Sequence, residues 1–239
     1  MTEQQIASIQ IAAIIPAAGV GKRMQANIPK QYLTINQISI LEHTIRKLSQ
    51  ITNITQIVVV VSESDPFIKQ LQTQLPAQVK LVTGGAERVY SVLAGLRSLD
   101  SERFQWCLVH DAARPCVLAE DIEKLIQSCL SCNVGGILAT QVRDTMKRQL
   151  VNPHHNVAVI EKTENRDGLW HALTPQMFKT HELIAAIELG LAENKAITDE
   201  ASAMELTNAE IRLIEGDASN IKITRASDLA LAEYFLNRE

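Results

Sequence analysis

The chain has 239 residues, 46% of them apolar and 21% charged, an ordinary composition for a folded globular protein. Its net charge of −4 argues against broad binding to nucleic acid or to an anionic membrane, yet permits a small phosphorylated ligand, which needs only local positive charge. No apolar run approaches the ~18 residues of a membrane span, and the opening MTEQQIASIQ lacks the cationic-then-apolar order of a secretory signal, so a cytoplasmic protein is expected.

The first strand is predicted over Ile11–Ile15. It ends in Pro16-Ala17-Ala18-Gly19-Val20-Gly21, with Lys22, Arg23 and Lys30 close behind. Small residues let the backbone approach a ligand, its N–H groups can cradle anionic oxygens, and nearby cations can neutralise the same anion. Two familiar phosphate loops are excluded. A Walker loop would need glycine at Pro16 and a hydroxyl at Arg23, and the dinucleotide fingerprint fits Gly19 and Gly21 but meets Met24 at its third glycine. A tight turn with solvated cations is the alternative to a phosphate site here.

Leu41, Ile45 and Leu48 then share one helical face. Further strands are predicted at Gln56–Ser62, Val79–Val82, Trp106–Val109 and Gly136–Val142, with a helix between them carrying Val89, Val92, Leu93, Leu96 and Leu99 on one side. The continuous run Ile57–Val61 suits a sheet covered on both faces. Alternating strands and helices imply a mainly parallel α/β sheet with right-handed crossovers and helices on both faces. In TGGAERVYSV, Gly84-Gly85 permits close approach of a flat ligand and Ser91 can hydrogen-bond it; a plain strand-to-helix turn is the other reading. In VHDAARP, Asp111 stands at the carboxyl end of a strand, where open α/β sheets bind ligands. Asp111 can hold a magnesium ion and Arg114 a phosphate, or the two can pair with each other.

Residues 143–166 break the rhythm. They read as a polar hairpin leaving the body, with apolar positions that ask for a partner surface. At its foot, Arg166 is either a phosphate clamp or a surface arginine. Thr174-Pro175 predicts a helix start, followed by a stripe of Ile184, Ile187 and Leu191. IRLIEG and NIKIT read as short strands, and Lys222 inside the second asks for an anionic partner. The terminal helix is expected to turn Leu231, Tyr234 and Phe235 inward. No linker or repeat interrupts residues 1–239, which predicts one domain with an arm at about 143–166. Of the four cysteines, Cys129 and Cys132 form a CxxC in a helical setting without further ligands, so reduced thiols are expected. His154-His155 reads as solvated, and no nucleophile elbow is present.

In order along the chain, PAAGVGKRM with PKQY, TGGAERVYSV, VHDAARP, RDTMK, NRDGLWHALTPQ, TDEASA and NIKIT resemble the 2-C-methyl-D-erythritol 4-phosphate cytidylyltransferases, enzymes of non-mevalonate isoprenoid biosynthesis. The resemblance runs from about Ile11 to the C-terminus. It implies a Rossmann-like domain with an extended arm, a homodimer of interlocked arms, CTP and methylerythritol phosphate as substrates, magnesium as the metal and pyrophosphate as a product. It further implies that Pro16, Ala17, Ala18, Gly19 and Gly21 wrap the triphosphate and that Arg23 and Lys30 stabilise the transition state. Gly85 and Ser91 would bind cytosine and ribose. Asp111, Arg114, Thr145, Arg166 and Lys222 would hold the second substrate or, for Asp111, the metal, with Thr145 acting across the dimer. Two departures stand out: Ala86 where some members have Asp, and KTEN rather than TVD before Arg166. Other readings are a cytidylyltransferase for another polyol phosphate, such as ribitol 5-phosphate, and a non-catalytic nucleotide binder. The joint presence of Arg23, Lys30 and Lys222 speaks against the second.

Overall fold

The structure is a computed structural model that describes residues 3–19, 28–85, 87–151 and 157–238. A short helix α1 (Glu3–Ala7) precedes β1 (Ile11–Pro16). A 3₁₀ turn at Lys30–Tyr32 leads to a small ribbon, β2 (Thr34–Ile35) and β3 (Ile38–Ser39), and to α2 (Ile40–Ser49). Ser39 and Glu42 start α2 as a capping box, and Leu41, Ile45 and Leu48 form its buried face. Strands and helices then alternate through β4 (Ile54–Val61), α3 (Pro66–Leu71), β5 (Val79–Thr83), α4 (Arg88–Arg97), β6 (Trp106–Val109), α5 (Ala119–Cys132) and β7 (Gly136–Gln141). An exposed antiparallel hairpin follows, β8 (Met146–Gln149) with β9 (Ile160–Glu164). The chain continues through β10 (Trp170–Lys179), α6 (Thr180–Ala192), α7 (Glu200–Glu205), β11 (Arg212–Glu215) and α8 (Ala226–Leu236).

Seven strands form one sheet in the order β11-β7-β10-β6-β1-β4-β5. All are parallel to one another except β10, which runs antiparallel to β6 and β7. Successive residues of a strand point to opposite faces, and both faces are covered here. Ile11, Ala13 and Ile15 of β1 pack with Leu41 and Ile45 of α2 and Leu125 of α5. Ile14 of β1, with Val58 and Val60 of β4, packs with Val92 and Leu96 of α4 and Ile187 of α6. This is why the strands read as unbroken apolar runs rather than as alternating ones.

Three local expectations are corrected. Thr174-Pro175 lies inside β10, joined by a cis peptide bond, and the helix begins only at Thr180. Proline lacks a ladder donor, and the pairing with β7 is irregular between Ala172 and Gln176, where it sits. NIKIT forms no strand: its backbone docks onto the neighbouring loop, with the Ile223 N–H donating to the Ala113 carbonyl at 2.9 Å. In α8, Leu231 and Tyr234 are exposed. Ala232 is the buried residue, with Leu229, Phe235 and Leu236 packed beside it, because the inner stripe runs one position off the predicted one.

Candidate active site

From β1 the chain moves to β4 and β5 on one side of the sheet, and β6 then returns on the other side of β1. Such a reversal leaves a crevice outside the carboxyl ends of the strands. A pocket lies there, lined by Pro16, Ala17, Ala18 and Gly19 after β1, Lys30 and Gln31 after the loop, Gly85, Arg88 and Ser91 at the start of α4, Asp111 after β6, and Lys222. Segments far apart in the sequence thus meet at one place because each follows the end of a strand or docks beside one. Gly21 and Arg23 of the expected set, and Ala86, lie outside the described residues.

The glycine-rich turn is held from behind. The Ala17 N–H donates to the Val60 carbonyl at 2.7 Å. The buried Gln31 amide donates to the Ala17 carbonyl at 2.7 Å and the Gly19 carbonyl at 3.0 Å. With those carbonyls turned back into the protein, the pocket side is left to small side chains. Among the described residues, a Cβ added at Gly19 meets no atom within 4 Å. At Gly84, by contrast, a Cβ would stand 2.7 Å from Ser91 Oγ and 2.9 Å from Val60, so the backbone passes too close for any side chain. Ser91 is buried in α4, and its hydroxyl donates to the Glu87 carbonyl at 3.2 Å, the usual back-bond of a helical serine.

Asp111 is the electrostatic centre. Its Oδ1 is 3.3 Å from Arg88 Nε, and its Oδ2 is 2.8 Å from Lys222 Nζ and 3.5 Å from Arg114 Nε. Burial opposes its charge, but Arg88, Lys222 and Arg114 outweigh burial and hold the carboxyl well below the usual carboxylate range. Its N–H donates to Thr174 Oγ1 at 3.0 Å. That hydroxyl donates in turn to His110 Nδ1 at 3.0 Å, and His110 Nε2–H donates to the Arg114 carbonyl at 3.0 Å. Burial pushes the His110 imidazole down to about 4, so it is neutral near pH 7. Its role in this arrangement is to fix the turn carrying Asp111.

Arg114 does not line the pocket. It is buried, and its Nη1 donates to the Asn220 carbonyl at 2.6 Å. Lys30 Nζ donates to the Ile223 carbonyl at 2.9 Å. The two cations therefore grip the segment that presents Lys222 from either side. Arg166 and Thr145 also lie outside this pocket. Arg166 lines a second hollow at the foot of the hairpin with Arg143, Trp170 and Glu215, and donates to the Arg143 carbonyl. Thr145 is exposed immediately before β8.

Among the described residues, no cluster of three or more His, Cys, Asp or Glu side chains could hold a metal ion. A divalent ion fits only as a shared one. Both oxygens of Asp111 are already met by cations, so an ion held there would take its other ligands from phosphate oxygens and water, the usual way magnesium binds at phosphate sites.

Arg88, Gln31 and Glu200 were not singled out by sequence reasoning. All three stand inside motifs that were, PKQY, TGGAERVYSV and TDEASA, and Arg88 binds Glu200 across 112 positions of sequence with both ends of its fork. No local pattern signals such a pairing.

A sequence profile of the 2-C-methyl-D-erythritol 4-phosphate cytidylyltransferase family matches residues 11–238. A relative of that name from Colwellia psychrerythraea is 50% identical over 235 residues, covering 97% of each chain. Another from Vibrio vulnificus is 52% identical over 231 residues, 96% of this chain and 95% of its own. A crystal structure of a 4-diphosphocytidyl-2C-methyl-D-erythritol synthase superposes with a TM-score of 0.81 at 35% identity, covering 96% of this chain and 99% of the other. One from Anaerococcus prevotii gives 0.82 at 30% identity, covering 99% and 100%.

Proposed function

The chain belongs to the 2-C-methyl-D-erythritol 4-phosphate cytidylyltransferase family, and we propose that its strand-end pocket transfers the cytidylyl group of CTP to the phosphate of methylerythritol 4-phosphate. The products are 4-diphosphocytidyl-2-C-methyl-D-erythritol and pyrophosphate, in a step of isoprenoid precursor biosynthesis. One observation carries the reading: the glycine-rich turn, Gly85 with Ser91, and the cations Lys30 and Lys222 converge on one crevice around Asp111.

The chemistry fits what the crevice supplies. The incoming phosphate attacks the α-phosphorus in line and pyrophosphate leaves. A phosphate monoester is already mostly dianionic at pH 7, so no strong general base is required. The difficulty is bringing two polyanions together, which positioned cations relieve. In this reading the turn after β1 takes the triphosphate, Lys30 and Arg23 meet the charge that develops there, and Gly85 and Ser91 face the nucleoside. Lys222 and Arg166 align the second phosphate. Arg114 supports that alignment from behind Asp111. Magnesium, where bound, would sit between Asp111 and the triphosphate and supply charge neutralisation.

We further read the chain as a single domain that dimerises through the hairpin at 143–166, with Thr145 serving the partner's site. The apolar side chains exposed on the hairpin, Val157 and Ile160 among them, support a covered state. Among the described residues no helix is long and apolar enough to cross a membrane. The four free cysteines support a reducing cytoplasm.

Pyrophosphate release, measured with each of the four nucleotides against methylerythritol 4-phosphate and ribitol 5-phosphate, tests the function. Turnover should appear with CTP and methylerythritol 4-phosphate and require a divalent ion. Equal turnover with ribitol 5-phosphate, or a preference for a purine nucleotide, overturns the substrate assignment.

A further inference from the structure

Glu200 opens α7 and is 2% exposed, yet no step above uses it. Its two carboxylate oxygens accept from Arg88 Nη1 at 2.6 Å and Nη2 at 3.1 Å. The remaining edge of the same guanidinium, Nε, reaches Asp111 Oδ1 at 3.3 Å. The other oxygen of Asp111 takes Lys222 Nζ at 2.8 Å. A continuous line of charge-assisted contacts therefore runs Glu200–Arg88–Asp111–Lys222, from a buried helix start to the pocket wall. Its far end is rigid. Gln176 of β10 donates to Asp199 at 2.8 Å and accepts from the Ala201 N–H at 2.8 Å, which clamps both neighbours of Glu200 to the sheet.

We propose that Glu200 is a positioning residue for cytidylyl transfer: by occupying the fork of Arg88 it leaves one N–H for Asp111 and so keeps the second Asp111 oxygen for Lys222. The inference rests on the family function stated above. A guanidinium prefers two parallel bonds to one carboxylate. If Glu200 loses its charge, Asp111 is the remaining carboxylate paired with Arg88 among the described residues, and a two-pronged grip on it competes with Lys222. The local charge supports a specific signature. Arg88, Arg114 and Lys222 face Asp111 and Glu200, an excess of one positive charge. Losing the Glu200 charge raises that excess, so CTP should bind no more weakly while Lys222 is misplaced for the incoming phosphate.

The experiment compares wild type, Glu200→Gln, Lys222→Ala and the double variant in pyrophosphate release, with calorimetric CTP titration in the absence of the second substrate. Glu200→Gln should lower turnover about 10-fold or more and raise the Michaelis constant for methylerythritol 4-phosphate several-fold. CTP affinity and binding stoichiometry should be kept. The double variant should be little worse than Lys222→Ala alone, because both changes remove the same contact. A merely structural role predicts fewer CTP sites with unchanged Michaelis constants, and that result overturns the proposal. So does a double variant whose loss equals the product of the single losses. If Glu200→Gln does not fold, Glu200→Asp retains the charge with a shorter reach, and wild-type turnover in that variant is equally fatal. Absence of turnover in the wild type would instead count against the family function, so the two failures are distinguishable.

Discussion

Lys30 combines a structural contact with a place in the pocket lining. Its ammonium donates to the Ile223 carbonyl, and the residue lines the pocket. Lys30→Ala should therefore lower turnover roughly 100-fold or more, with a smaller effect on CTP affinity, as read by single-turnover pyrophosphate release and calorimetry. Turnover close to wild type at saturating substrate would reduce Lys30 to a loop cation. Arg166 poses a different test, because it lies at the foot of the hairpin rather than in the strand-end pocket. Its planar fork suits two phosphate oxygens at once, and lysine keeps the charge but not the fork. Arg166→Lys should raise the Michaelis constant for methylerythritol 4-phosphate more than that for CTP. A defect confined to CTP would remove Arg166 from the second substrate's site.

At the scale of elements, the strand ends do the positioning. Asp111 was legible from its place after WCLV, since a short apolar run followed by a polar residue marks a strand end. Lys222 was legible as an anomaly but not as an element: NIKIT alternates like a strand, yet its backbone docks against Ala113 and joins no sheet. The hairpin of β8 and β9 is a different case: the polar break at 143–166 suggested it, and the two strands pair with each other as a sheet separate from the seven-stranded one. Its strands are exposed along most of their length, and a lone two-stranded hairpin is at best marginally stable in water. Removing the tip, residues 149–156, should shift sedimentation from dimer towards monomer and cut activity in parallel. A fully active monomer would show that the hairpin serves neither purpose.

For the whole molecule, the buried His110 network couples the site to global stability. The folded protein holds its imidazole neutral down to about pH 4, whereas an unfolded chain takes up the proton near 6.5. Between those values the unfolded state binds more protons, so stability falls as pH falls, by about 3 kcal/mol across the interval. The depressed Asp111 acts in the same direction at lower pH, because its ionised form is the one the fold stabilises. Urea midpoints measured from pH 7 to 4.5 should drop accordingly, and His110→Gln should show a shallower dependence. An equal slope in that variant would assign the acid sensitivity elsewhere.

The sequence by itself determined the sheet and its strand-end motifs, because apolar periodicity and small residues at turns are local signals set by backbone geometry. It also carried the family resemblance, which lies in the order of motifs along one chain. It did not determine the antiparallel entry of β10, where a register irregularity around Pro175 replaces the expected helix. Nor did it determine which arginine faces which acid. Arg114 turns inward to Asn220 and Arg88 spans Glu200 and Asp111. Those choices depend on distances between residues up to 112 positions apart, and only the packing of helices on both faces of the sheet brings such residues within reach of one another.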